Sequence, residues 1–127
     1  MMQIGLNHRL CVPHAFKDQT RAMYEGVFAA TITSPRPDVE IITFADGSGI
    51  GVFYVDPADA LTPEEHRKGL WLEFEVENEA DTVAKLAALG IEAFEYFDEQ
   101  HKYFQAPGGL VFRLAPPRRQ SIEGSLR

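Results

Sequence analysis

Apolar positions recur twice along the chain in the same order: an alternating stretch, a stretch at helical spacing, then three more alternating stretches. The second copy is the clearer. In GLWLEFEVE (69–77), Leu70, Leu72, Phe74 and Val76 alternate with Trp71, Glu73 and Glu75; a helix follows over ENEADTVAKLAALG (77–90), then strands at EAFEYF (92–97), KYFQA (102–106) and GLVFRLA (109–115). The first copy, over residues 4–55, opens with IGLNHRLCV (4–12), where Ile4, Leu6, His8, Leu10 and Val12 share one face and Gly5, Asn7, Arg9 and Cys11 the other. From Phe16 the spacing becomes helical, with Phe16, Thr20, Met23, Tyr24 and Val27 on one side. ATITS (30–34), VEIITFAD (39–46) and GIGVFYV (49–55) are rich in β-branched and aromatic residues and are separated by Pro35, Pro37 and the turn Asp46-Gly47-Ser48-Gly49.

This pattern predicts an α+β chain of two βαβββ modules, residues 1–55 and 69–115, within one domain spanning 1–115. The polar connection 56–68 contains Thr62, Pro63 and Glu65, the signature of a short helix with a hydroxyl cap, a proline at its first position and a reciprocal carboxylate. In the second helix Asn78 is placed to cap the start, Ala80, Val83, Ala84 and Ala87 to line a face, and Gly90 to supply the left-handed residue at the end. Residues 116–127 are polar and proline-broken, without periodicity, and read as a flexible tail in which Arg118 and Arg119 aid solubility.

Length and charge narrow the function classes. At 127 residues, 45% of them hydrophobic, the chain suffices for one core or two small sheets sharing one, and no second independent domain is expected. Nineteen acidic residues against twelve basic give a net charge of −7, the wrong sign for binding phosphate backbones, so no nucleic-acid partner is expected. The single Cys11 forms no internal disulfide, no secretion signal is visible in the first twenty residues, and no apolar run approaches the roughly 20 residues needed to cross a bilayer. The expected address is the cytoplasm, with no membrane partner.

The run from Trp71 to Leu114, with F-E-V before an acidic-capped helix, L-A-A-L-G-I-E at its end, a P-G-G turn and a V-F-x-L final strand, resembles the second module of the vicinal oxygen chelate superfamily. That group includes glyoxalases, bleomycin- and fosfomycin-resistance proteins and extradiol dioxygenases. MYEGVF in the first copy is similar to the family's F-Y-x-x-V-L segment. The resemblance implies curved mixed sheets around a cup, helices outside, a small organic ligand within, and a homodimer.

It also implies up to four metal ligands on the first and last strands of each module. The matching positions in module two are Trp71 and Arg113, neither of which ligates a metal, and laying Gly49 over Gly109 puts Phe53 where Arg113 stands. The fourth position falls on His8 or on Asn7, depending on where counting starts. His8, on the apolar face of its strand, also reads as a core or interface histidine. His14, His66 and His101 fall in predicted loops and read as surface residues.

Alternation places Trp71, Glu73 and Glu75 on one face of their strand and Arg113 on the corresponding face of the last strand. An arginine–carboxylate pair beside an indole can receive a small polar or planar molecule, with Phe53 and Tyr103 as further lining. The expected ligand-binding residues are therefore Phe53, Trp71, Glu73, Tyr103 and Arg113, and no cofactor is expected; the plain alternative is a structural ion pair on an exposed sheet. Three functions follow. The first is a metal-free small-molecule-binding module like the bleomycin-resistance proteins. The second is a metal-dependent lyase, isomerase or dioxygenase of glyoxalase type, with a divalent metal on His8 and further donors from Glu73, Glu75 or a partner chain. The third is a domain kept for protein contacts. Neither a nucleophile elbow nor a phosphate loop is present, and Cys11, inside a strand without a local base, reads as an inert thiol.

Overall fold

The computed structural model describes residues 1–118. The chain divides after Thr62 into two compact units. Each carries one copy of the repeat, and the two together make an α+β chain with two mixed sheets.

In the first unit, β1 (Asn7–Pro13) leads through a short 3-10 turn (His14–Phe16) into α1 (Lys17–Arg21), which widens into a π-helical segment (Ala22–Val27). β2 (Thr31–Arg36), β3 (Val39–Thr43) and β4 (Gly49–Val55) complete a sheet of order β1-β4-β3-β2, with β1 parallel to β4 and the others antiparallel. Pro35 has no N–H to offer, and it sits on the end strand β2 where the register slips between Thr33 and Arg36. The predicted turn is built as expected: Asp46 Oδ1 accepts from the Ser48 amide at 3.0 Å and the Ser48 hydroxyl at 2.6 Å, and Gly47 takes φ +89.

Register sorts the two faces of this sheet. Leu10 and Val12 lie beside Val52 and Tyr54, with Ile42 and Glu40 alongside, and this face meets the helix through Thr20, Met23 and Tyr24, all buried. Glu40 is wholly buried, yet satisfied: the Tyr54 hydroxyl donates to it at 2.8 Å, the Ser34 hydroxyl at 3.2 Å, and Arg21 lies at 3.3 Å. Burial and the neighbouring Glu40 push the Tyr54 hydroxyl pKa above its usual value.

A 3-10 turn (Pro57–Asp59) follows, and the second unit starts with the predicted short helix, α2 (Pro63–His66). Next come β5 (Trp71–Glu75), α3 (Glu79–Ala88), β6 (Tyr103–Gln105) and β7 (Val111–Ala115), in a sheet of order β5-β7-β6 with β5 parallel to β7. Asn78 Oδ1 caps α3 by accepting from the Asp81 amide at 3.0 Å. Gly90, at φ +80, ends it with the amides of Gly90 and Ile91 returning to the carbonyls of Ala87 and Leu86, both at 2.9 Å. Phe104, Phe112 and Leu114 fill the apolar face, where Phe112 stacks on Phe74 at 4.9 Å and on Phe104 at 5.4 Å.

Three expectations need correction. The strand expected at 92–97 is reduced to a single bridge between Phe94 and Tyr103, because the chain turns at Asp98, whose carboxylate collects the amides of Gln100 and His101. The buried face of α3 is Thr82 and Leu86, with Ala80, Ala84 and Ala87 exposed, since only the longer side chains reach the core. His66 is buried at the end of α2, packed where a side chain on Gly109 would meet it. The tail expected over 116–127 falls mostly outside the described residues, and its Arg118 is tied to Glu75 by its amide at 2.8 Å and its guanidinium at 3.1 Å.

Candidate functional site

The pairing of β5 with β7 sets Glu73 directly beside Arg113, and β6 sets Tyr103 on its other side. Side chains at paired positions share a face, so Trp71, Glu73, Arg113 and Tyr103 assemble as alternation predicted. The Arg113 guanidinium lies 4.3 Å from the Trp71 ring centre. Its Nε and Nη2 each lie 2.8 Å from Glu73 Oε2, and its Nη1 donates to the Tyr103 hydroxyl at 3.1 Å. Tyr103, 1% exposed, meets the Trp71 ring edge-on at 5.9 Å. Partial burial alone would lower the Arg113 pKa, but Tyr103 and Glu73 overcome it and raise it.

Asp98 and His101 extend this group, and the sequence pattern did not single out either. The Tyr103 hydroxyl donates to Asp98 Oδ2 at 2.9 Å while accepting from Arg113, whose Nη1 also lies 3.5 Å from that carboxylate. Asp98 Oδ1 accepts from the amides of Gln100 and His101 at 2.9 and 2.8 Å and faces His101 Nδ1 at 3.0 Å. Partial desolvation would raise the Asp98 pKa, but hydrogen bonds from His101 and Tyr103 win and draw it down to about 2. The clue was an acid followed three residues later by a histidine, a spacing at which a turn closes locally.

Aromatic rings continue the same face. Tyr103 touches Tyr96 at 5.2 Å, Tyr96 touches Phe94 at 5.3 Å, and the Arg67 guanidinium stands 4.6 Å from the Phe94 ring centre. Tyr96 is fixed by donating its hydroxyl to the Arg67 carbonyl. Arg67 Nε donates to Gln105 Oε1 at 2.8 Å, and Gln105 Nε2 returns to the carbonyls of Pro63 and Gly109 at 2.8 and 2.9 Å. Phe97, 73% exposed, lies against Tyr96 at 4.3 Å.

Phe53 belongs to the first unit. It lines an open cleft of about 340 Å³ with Arg36, Asp38, Val39 and Val55, and Arg9 covers its ring at 4.6 Å. Cys11 pairs with Phe53 as Glu73 pairs with Arg113, so with Gly49 laid over Gly109 the residue matching Trp71 is Arg9, rather than Asn7 or His8. His8, exposed, pairs with Ile50 and shares the face of Leu10 and Val12.

A divalent metal needs several donors converging on it. At the positions where ligands were expected, the second unit has an indole and a guanidinium, and the adjacent carboxylate of Glu73 is engaged by that guanidinium. This face does not fit a metal ion. Among the described residues, no three His, Cys, Asp or Glu side chains are grouped to hold one. Nor is any described helix long and apolar enough to cross a membrane.

No family model and no curated protein matches the chain. Solved structures do. A fosfomycin resistance protein, FosX, from Listeria monocytogenes, complexed with Mn(II) and 1S,2S-dihydroxypropylphosphonic acid, superposes with a TM-score of 0.70 at 18% identity, over 98% of this chain and 99% of that one. FosX from Mesorhizobium loti gives 0.65 at 13% identity, over 97% and 99%, and a possible glyoxalase from Bacillus cereus gives 0.65 at 20%, over 88% and 98%. The chain carries the paired-module fold of these vicinal oxygen chelate proteins.

Proposed function

We propose that this chain binds a small, planar or polar organic molecule without a metal, in the manner expected of a bleomycin-resistance-like module. Trp71, Glu73, Tyr103 and Arg113 form the receptor in the second module, and Phe53, in the first, lines that module's own cleft. The observation that carries this reading is the Arg113 guanidinium held over Trp71 at 4.3 Å by Glu73, where metal chemistry would need a ligand. Trp71 is the sole tryptophan, so its fluorescence reports on this face directly. Metal-free protein whose Trp71 emission responds saturably to small aromatic ligands, with the response lost in Arg113→Met, supports the reading. Near-stoichiometric metal retained through purification without chelator defeats it.

A second reading has one observation in its favour: two of the Listeria FosX structures are complexes with Mn(II). In it, His8 is a ligand of a divalent metal that supports glyoxalase- or dioxygenase-like chemistry. Metal content that falls in His8→Ala would favour it, and metal content indifferent to that change would argue against it.

The working form in this proposal is a cytoplasmic homodimer. Its support is that β1 and β5 end their sheets, with Leu6 57% and Leu70 77% exposed where those strands begin. Sedimentation of the intact chain as a monomer at micromolar concentration would remove this part.

A further inference from the structure

The proposed receptor leaves one chemically active atom unused, Nε2 of His101. A carboxylate only accepts, so the contact between Asp98 Oδ1 and His101 Nδ1 at 3.0 Å places the imidazole proton on Nδ1 and leaves the lone pair on Nε2. Among the described residues Nε2 has no hydrogen-bond partner, and the ring is partly open, with 29% of the side chain exposed. The same Asp98 carboxylate takes the Tyr103 hydroxyl at 2.9 Å, and Tyr103 takes Arg113. The base is thus one carboxylate removed from the guanidinium and the rings that form the receptor.

We infer that His101, oriented by Asp98, is a general base that removes a proton from a planar organic molecule bound on the Trp71–Arg113 face, giving the chain a metal-free proton-transfer activity. The inference rests on the binding reading of that face. Three features of the group suit the task. The two amides that Asp98 accepts hold its carboxylate in place. That carboxylate stays ionised down to about pH 2, ready to stabilise the imidazolium that forms. Tyr103 on β6 joins the Asp98 carboxylate to Arg113 on β7, itself held by Glu73 on β5, so the loop that carries His101 is tied to the receptor.

The probe is 5-nitrobenzisoxazole, a planar aromatic whose ring opening needs only a base. Nε2 takes the proton from C3, the C–H electron pair becomes part of the new nitrile, the N–O bond breaks, and its electrons leave on the phenolate oxygen. The proton then passes from the imidazolium to water, so no oxidant, metal or co-reactant enters. Quenching of Trp71 measures binding, and absorbance of the released phenolate measures turnover.

The expected result is saturable quenching, with kcat rising with pH through a single ionisation and falling about 10²-fold in His101→Gln at unchanged quenching. Asp98→Asn, which alters what Nδ1 faces, should fall about tenfold and shift that ionisation. Nitrogen-15 NMR of the unaltered protein reads the tautomer without any substitution, and a proton found on Nε2 overturns the inference. Saturable quenching with no turnover, or with turnover that His101→Gln leaves intact, overturns the base and leaves the binding site standing. No quenching by this probe or by other small aromatics removes both.

Discussion

Both sheets stack a guanidinium on an aromatic ring at corresponding positions, but with the partners exchanged. In the first, Arg9 on β1 covers Phe53 on β4 at 4.6 Å; in the second, Arg113 on β7 covers Trp71 on β5 at 4.3 Å. What differs is where the carboxylates go. Arg9 donates to the Cys11 thiol at 3.7 Å, and the buried acid of that unit, Glu40, faces the helix, closed in by Tyr54, Ser34 and Arg21. In the second unit the apolar face is aromatic and aliphatic, and Glu73 and Asp98 join Arg113 on the opposite face. The same strand plan therefore gives a charge that braces a helix in one module and a partly exposed charge cluster in the other.

The largest expected effect separates the two modules at their matching glycines. A side chain at Gly109, where φ is +116, would put Cβ 2.7 Å from the Pro63 Cα and 3.0 Å from His66. Gly109→Ala therefore combines backbone strain with a clash against α2 and is expected to cost about 4 kcal/mol. At Gly49 the nearest atom is the Ile42 carbonyl oxygen at 3.2 Å, and Gly49→Ala is expected to cost about 1 kcal/mol. Urea unfolding of the two variants measures the difference, and equal losses would mean that Pro63 and His66 do not press on Gly109 as closely as described.

Charge gives the next contrast. Arg21→Met leaves the Glu40 carboxylate, 1% exposed, with hydroxyl donors alone, and is expected to cost about 2 kcal/mol, below the usual value for breaking a buried pair because Arg21 is 44% exposed. Arg9→Ala removes only a stacking contact at the surface and is expected to cost about 0.5 kcal/mol. If Arg9→Ala proved the more damaging, the first sheet's open face would carry structural weight that its contacts do not explain.

The pH dependence of stability should run in opposite directions in the two units. Burial holds the His66 pKa below its ordinary 6.5, although Glu65 pulls it upward. The unfolded chain thus binds this proton first, so the contribution is complete above pH 6.5 and is lost as pH falls through the folded value. Burial raises the hydroxyls of Tyr24 and Tyr54 above 10, so their contribution is complete below pH 10 and is lost as pH rises beyond it. Thermal melts across pH should show His66→Asn flattening the acid limb only and Tyr54→Phe the alkaline limb only. An acid limb unchanged in His66→Asn would move the acid sensitivity elsewhere.

How far the sequence led depended on the range of the interaction. The modules, the Asp46–Gly49 turn, the Asn78 cap, the Gly90 terminus and the Glu73–Arg113 face were readable because local periodicity and turn chemistry decide them. Tyr96 and Phe94 were within reach, since alternation across 92–97 puts both on the Tyr103 side, but the strand itself was misread. His66 was not, because its burial depends on the approach of Gly109, more than forty residues away. Nor was the π-helical widening at Ala22–Val27, because apolar spacing from Phe16 to Val27 marks a helix without distinguishing a π turn from an α turn.

That widening brings the last and smallest contrast, at the two helix ends. Module two closes its helix on Gly90 at φ +80, whereas module one turns the same corner on Ala29 at φ +53, with the Phe28 amide reaching back to Met23 and the Ala30 amide to Tyr24. A left-handed conformation costs a residue with Cβ roughly 1–2 kcal/mol, and glycine gives back part of that gain through its freer unfolded chain. Ala29→Gly is therefore expected to stabilise the protein by about 0.5 kcal/mol, and Gly90→Ala to destabilise it by about 1 kcal/mol. No atom lies within 4 Å of a Cβ built at Gly90, so its loss would measure backbone strain without a clash. If Ala29→Gly instead lowered the melting temperature, the alanine methyl would be making a contact worth more than the strain it imposes, and module one's helix end would be held by packing where module two's is held by its glycine.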